Sequence, residues 1–332
     1  PAFNTIAVLE GTEWPDEWVV IGAHRDSWSP GAIDNVSGTS SVVEVARALA
    51  TAAARGLPPR RTVVFATWDA EEWGVLGSIE WVEANAERLR ASAVTYVNQD
   101  APVSGSSFGA ASSPELKTFV VDASRRVPEP ANGGTVFDAW LARASANLAP
   151  EEAPDVPPVG DLGGGSDHKG FYQHLGIPAA GFGFGGRGGV YHSMYDTPRW
   201  MQEFGDPGYS YHAATARMAA VVVSRLANSD VLPFDHAGLA RVAAERVEHL
   251  ATEVDAAVEA ATATEHVIGE AALEQDGGGQ LADAVRPAVA ELEASLNSLE
   301  VAARDFARAR DSVLALGTME PSLARAVNER VR

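Results

Sequence analysis

EWVVIGA at residues 17–23 and RTVVFATW at residues 61–68 are two β-rich apolar runs, and what lies between them decides the fold. Residues 36–54 have a helical period, with Val42, Val43, Ala46 and Leu49 on one stripe, and Gly56 and Pro58 stop it. A second helical stretch, 72–90, leads into a short third strand, AVTYVN at 93–98. Strand, helix, strand, helix, strand in this order predicts a layered α/β domain with a largely parallel sheet. Farther on, 114–126, 134–146, 167–175 and 208–228 read as helices and 178–184 as a strand. A turn-rich stretch from Pro150 to Gly165 and the glycine loop 185–189 fall between them.

Past Phe234 the composition changes to Ala, Glu, Arg, Val and Leu, and helices are predicted over 237–264 and 281–316. In the second, Val285, Val289, Leu292, Leu296, Leu299, Ala303 and Phe306 alternate steps of four and three. That heptad-like seam suits helix-on-helix packing within or between subunits. A boundary near 235 divides the chain into 1–235 and 236–332.

The 332 residues suffice for one large domain with a smaller companion. With 25 Lys and Arg against 45 Asp and Glu, the net charge of −20 repels a phosphate backbone and argues against nucleic-acid binding. The absence of Cys rules out disulfides and thiolate-held metals. No apolar run reaches the roughly 18 residues of a membrane span. The chain opens Pro-Ala-Phe-Asn, without a signal-peptide pattern.

Four clusters carry chemistry. His24 and Asp26 follow the first strand, where open α/β sheets place their sites. His24 is either a neutral imidazole ligand, with Asp26 fixing its tautomer, or a loop residue. Asp34, just before a helix, is a ligand or an N-cap. Glu71 and Glu72 follow the second strand; they suit a cation, or a helix first turn stabilised by its dipole. Asp100, after 93–98, and His192, after the glycine loop, are each unremarkable alone. Together these are nitrogen and oxygen donors without sulfur on one plausible sheet edge, which suits a hydrolytic zinc pair better than a structural zinc.

These clusters sit in GAHRDSWSPGAIDNVSG (22–38), FATWDAEEWGVLGSIEWVE (65–83), YVNQD (96–100), LGGGSDHKGFYQHLGIP (162–178), YHSMYDT (191–197) and LANSDVLPFD (226–235). In these segments and their order the chain resembles the co-catalytic zinc peptidases of the M28 family, in the glutamate carboxypeptidase II and transferrin receptor branch. The resemblance implies a three-layer α/β/α zinc-exopeptidase domain with a mixed, mainly parallel sheet, followed by a helical domain of the dimerisation type. It implies two zinc ions per chain, one on His24 and Asp100, the other on Glu72 and His192, bridged by Asp34. Glu71 is then the general base acting on a water between them, Asp26 orients His24, and Tyr191 stabilises the oxyanion. Ser166, Asp167 and His168 fall where relatives line the substrate cleft, with Gly165 and Ser166 the candidate substrate contacts. Glu80 and Glu83 match carboxylates that help hold a structural calcium.

The implied activity is removal of a terminal residue from a peptide, with a homodimer formed through the C-terminal helices. Where glutamate-cleaving members carry arginines, this chain has AGFGFGG at 180–186 and only Arg187 nearby, which is either a substitute substrate contact or a solvated loop tip. Such a wall cannot grip a carboxylate bidentately, so an aminopeptidase or dipeptidase of broad or apolar preference is expected before an acidic-specific carboxypeptidase. The competing class, a silent transferrin-receptor-like binding protein, has lost zinc ligands that this chain keeps. The resemblance also suggests that family members extend beyond both ends of this chain, and it favours an extracytoplasmic location.

Overall fold

A computed structural model describes residues 2–186, 189–268, 277–315, 317 and 319–331. The chain forms two units, Pro1–Phe234 with Met319–Arg332, and Asp235–Thr318. The final segment thus packs with the first unit, whereas the sequence reading assigned it to the second. Asn328 supplies a reason: its amide oxygen accepts the Leu232 N–H (2.9 Å) and its amide nitrogen donates to the Asp230 carbonyl (2.8 Å).

The first unit is built on six strands: β1 (Thr5–Leu9), β2 (Trp14–His24), β3 (Arg61–Trp68), β4 (Ala93–Asn98), β5 (Ser107–Ser112) and β6 (Ala179–Gly185). They lie in the order β1-β3-β2-β4-β6-β5. The four inner strands are parallel, while β1 and β5 are antiparallel edges. The pleat divides the inner residues between two cores. Val19, Ile21, Val63 and Phe65 face one side, where α1 (Gly38–Ala54), α4 (Lys117–Ser124), α5 (Val136–Ser145) and α7 (Ser210–Asn228) pack. Trp18, Val20, Val64 and Trp68 face the other, with α2 (Leu76–Ala84), α3 (Ala86–Ser92) and Phe171. Between β6 and α7 lies a single turn, α6 (Pro198–Trp200). The result is the three-layer mixed sheet that the resemblance implies.

A guanidinium is buried where β2 meets β3. Arg61 Nε donates to Glu17 (2.6 Å), and its Nη1 donates to the carbonyls of Leu226 (3.1 Å) and Ser229 (2.6 Å). Glu17→Ala strips the carboxylate from a fully buried cation and is expected to destabilise the chain by about 3–5 kcal/mol. Urea unfolding measures this, and a loss below ~1 kcal/mol would contradict the pair's role.

In the second unit α8 (His236–Ile268) and α9 (Gly277–Leu314) pack side by side. His236 meets Phe306 (5.6 Å between ring centroids) and Arg286 pairs with Asp255 (2.8 Å), so the two run antiparallel. The heptad seam lies on α9: Ala303 is buried, whereas Leu292 and Leu299 remain 42% and 48% exposed. A last helix, α10 (Pro321–Val331), carries Asn328. No described helix is long and apolar enough to cross a membrane.

Candidate metal centre

Parallel strands end together, and here four of them deliver the functional side chains to one edge. His24 is the last residue of β2, level with Trp68 at the end of β3. Glu71 and Glu72 follow β3, Asp100 follows β4, and His192 lies in the loop after β6. Asp34 sits in a wide turn, Ala32–Ser37, between β2 and α1; its dihedrals (φ −119, ψ 98) are not helical and the Asp34–Asn35 peptide bond is cis. Asn35 ties this turn to the end of β4, accepting N–H bonds from Gly38 (2.9 Å) and Ala101 (3.1 Å) and donating to the Gln99 carbonyl (3.0 Å). A Cβ at Gly38 would collide with the Gln99 carbonyl, so glycine is required for this close approach.

The Asp34 carboxylate stands between the two histidines. Its Oδ1 lies 2.9 Å from His24 Nε2, and its Oδ2 lies 2.8 Å from His192 Nε2. Asp100 Oδ1 is 3.1 Å from His24 Nε2, and Glu72 Oε2 is 3.2 Å from His192 Nε2. The fold therefore brings His24, Asp34, Glu72, Asp100 and His192 together, with Glu71 Oε2 3.9 Å from His24 Nε2. Donor atoms of His24, Asp34 and Glu72 all fall within 4.8 Å of one another.

Asp26 does more than face His24 Nδ1, which lies 3.5 Å from its Oδ1. Its two oxygens accept the backbone N–H groups of Glu71 (3.0 Å) and Glu72 (3.2 Å). The closer partner of His24 Nδ1 is the Asp26 backbone carbonyl, at 3.0 Å, which leaves Nε2 turned toward the carboxylates. Ser166 is buried: Asn98 donates to its hydroxyl (2.8 Å), and the hydroxyl bonds to Asp100. That position supports the Asp100 carboxylate, whereas Gly165 is exposed on the loop before it. Tyr191 is half-exposed and stacks on the His192 ring (3.8 Å, 16°). Arg187 lies outside the described residues, and Glu80 and Glu83 are exposed on α2.

The electrostatics ask for cations. Asp26, Asp34, Glu71, Glu72 and Asp100 crowd one edge, and among the described residues no Lys or Arg pairs with any of them. His24 Nε2 can donate one proton, yet three carboxylates surround it, and the buried Glu72 Oε1 has no hydrogen-bond partner. Burial works to lower the His24 pKa, but its bonds to Asp100, Asp26 and Asp34 drive it far above the usual imidazole range. A proton there does the neutralising work of a metal. Burial pushes Glu71 up to about 8; the His24 charge opposes this, and Asp100, Asp167 and Glu72 add to it. Burial, reinforced by Asp34, Asp100, Glu72 and Glu71, raises Tyr191, which keeps its hydroxyl a donor. Two imidazoles and bridging carboxylates, orphaned oxygens included, fit divalent ions of the zinc type.

Beside the centre opens a cleft of about 790 Å³ lined by Ser104, Ser106, Val190, Trp200, Phe204 and Tyr211 among others, with no charged side chain among its described walls. Val190 and Trp200 also pack against Ala32, Ile33 and Met201, beneath the Asp34 turn.

The sequence reading places Asp167 on the substrate cleft and does not single out Asp196. Asp167 is buried beneath the site and accepts the Ser78 hydroxyl (2.6 Å); Asp196 binds the backbone of the Asp34 turn. Both lie inside the quoted segments, but their roles are exercised on residues far away in sequence, which no local pattern signals.

Residues 4–205 match the model of Peptidase family M28. A probable glutamate carboxypeptidase, LAMP1 of Arabidopsis thaliana, is 40% identical over 251 residues, covering 75% of this chain and 36% of that protein. The aminopeptidase NAALADL1 of Rattus norvegicus is 35% identical over 243 residues, covering 70% of this chain and 32% of that protein. The chain thus spans about a third of the length of these curated relatives. In fold it is similar to BSAP, a zinc aminopeptidase from Bacillus subtilis, with a TM-score of 0.50 at 23% identity, covering 68% of this chain and 50% of that one.

Proposed function

The chain belongs to Peptidase family M28, and from that premise we propose that it is a di-zinc exopeptidase hydrolysing the bond next to a peptide terminus. The observation that carries the reading is the Asp34 carboxylate, with one oxygen on His24 and the other on His192. His24 and Asp100 would hold one zinc, Glu72 and His192 the other, and Asp34 both. Zinc ions there would acidify a water between them and polarise the scissile carbonyl.

The protein's own groups do the rest. Glu71, buried and held by Asp26 through its backbone N–H, takes the water's proton on a carboxylate oxygen. The Tyr191 hydroxyl donates to the oxyanion that forms as the carbonyl is attacked. Glu71 then returns its proton to the leaving amine, so the site ends in its starting state. The AGFGFGG stretch at 180–186, which offers no arginine to grip a carboxylate, supports an aminopeptidase or dipeptidase. The relatives named as glutamate carboxypeptidases support the second reading, a carboxypeptidase acting on acidic residues.

Metal content measured by elemental mass spectrometry after chelator-free purification is the first test. About two zinc per chain is expected, and zinc added to stripped protein should raise Tm, since an ion bound only by the native state stabilises by mass action. A chain that takes up no zinc would point instead to a silent binding protein. Given two zinc, neutral aminoacyl substrates should be cleaved faster than peptides ending in glutamate; the reverse would favour the carboxypeptidase.

The exposed Leu292 and Leu299 on the α9 seam support a homodimer. Sedimentation at micromolar concentration should give twice the chain mass, and a monomer would contradict it. Glu80 and Glu83 would offer a structural calcium two carboxylates of the six to eight oxygens it takes.

A further inference from the structure

Three consecutive backbone N–H groups of the turn carrying Asp34 end on one residue, Asp196. Ala32 donates to its carbonyl oxygen (3.2 Å), Ile33 to Oδ1 (2.8 Å) and Asp34 to Oδ2 (3.1 Å). The first four N–H groups of a helical turn have no carbonyl behind them, and here Asp196 supplies the acceptors for three in a row. The residue is fully buried, and its own N–H donates to the Ser193 carbonyl (3.0 Å), one position past His192. His192 is fixed from the same loop. Its φ of +56 is left-handed, and the Ser193 N–H and hydroxyl both reach back to the Val190 carbonyl (3.0 and 2.7 Å).

We propose that Asp196 is a positioning residue for the zinc shared by Asp34, Glu72 and His192. It sets the bridging carboxylate against the His192 imidazole from behind, through the backbone, and touches neither substrate nor metal. The inference rests on the two-metal reading above. Asp26 offers a parallel, since its two oxygens grip the consecutive N–H groups of Glu71 and Glu72. Two carboxylates that are not ligands would thus each hold one ligand-bearing loop by a pair of charge-assisted bonds. Asp196 differs in joining two such loops, because it belongs to the segment that carries His192.

Asp196→Asn tests this. The amide keeps the shape and one acceptor, but turns an NH2 toward a backbone N–H. Asp206→Asn is the comparator: Asp206 is equally buried nearby and accepts from His212 N (2.9 Å), His212 Nδ1 (2.8 Å) and Ser210 Oγ (3.3 Å), but it holds no ligand turn. Zinc titration of the full chain against a chelating dye should show the Glu72–His192 site weakened about 10–100-fold in Asp196→Asn and the His24–Asp100 site, which shares only Asp34, weakened less. Asp206→Asn should keep both affinities, even if its Tm falls. Hydrogen exchange of the metal-free chains should be faster at residues 32–34 in Asp196→Asn alone.

Wild-type affinity at both sites of Asp196→Asn would overturn the inference, as would unchanged exchange at 32–34 or equal weakening in Asp206→Asn. Fewer than two zinc on the wild-type chain would instead sink the two-metal reading, and the exchange result would still decide whether Asp196 holds the turn.

Discussion

Glu71→Gln lowers turnover of a neutral peptide substrate by about 10²–10⁴-fold while leaving zinc content near that of the unaltered chain. The magnitude is that of a general base removed from the reaction. Three features make the effect specific to proton transfer. The amide is isosteric, so the backbone bond from residue 71 to Asp26 survives. Glu71 stands 3.9 Å from His24 Nε2, farther than Asp34 or Asp100, so it lies at the edge of the ligand set. Replacing a buried carboxylate by a neutral group also relieves repulsion with Asp100, Asp167 and Glu72, the neighbours that help raise its pKa. The variant should therefore fold at least as stably as the parent. Turnover within a few-fold of the parent would remove Glu71 from the role of base.

Asp34→Asn is expected to affect both metals at once, dropping zinc from about two to below one per chain and abolishing turnover with it. A bridging ligand needs two anionic oxygens. Here both are committed, at 2.9 Å to one histidine and 2.8 Å to the other. An amide offers one neutral oxygen and turns its NH2 toward the other imidazole. The same substitution in Asp100, proposed to hold a single metal, should spare the second site. Elemental analysis of the two variants after identical purification makes the comparison. Two tightly held zinc ions in Asp34→Asn would refute the bridge, and equal losses in both variants would mean that the two sites form only as a unit.

The strands that carry the site were legible because they are buried on both faces. Near-continuous apolar runs such as WVVIGA and TVVFATW have few alternatives in a chain of this size. The edges were not. TIAVL in β1 is short and largely exposed, and SFGAAS in β5 is built of small residues without a two-residue period, so their pairing comes from the neighbouring strands β3 and β6. The final helix, α10, was also missed.

Of the helices that begin later than expected, two do so at the site. The stretch predicted as helix over 72–90 is an irregular loop as far as Val75, with left-handed residues at Ala70 and Val75. The helix predicted from 36 is preceded by the wide turn, and regular helix starts at Gly38. In each case a distant carboxylate takes N–H groups at the ligand segment, Asp26 at 71–72 and Asp196 at 32–34. Local periodicity carries no trace of such a bond, and the backbone is free to leave the helical path once its donors are satisfied elsewhere.

The sequence by itself determined which residue types stand after each strand, and so the family and the set of nitrogen and oxygen donors. Those follow from motif order and from burial patterns that repeat within a few residues. Only the tertiary structure decided that Asp34 spans two histidines, that Ser166 supports Asp100, and that the last fourteen residues, 319–332, return to the first unit. Apart from Asp34 with His24, ten positions away across the wide turn, these are contacts between segments some 65 to 160 positions apart, or between the chain's end and the loop after α7. Where such segments meet is fixed by how the layers pack, which no stretch of sequence specifies on its own.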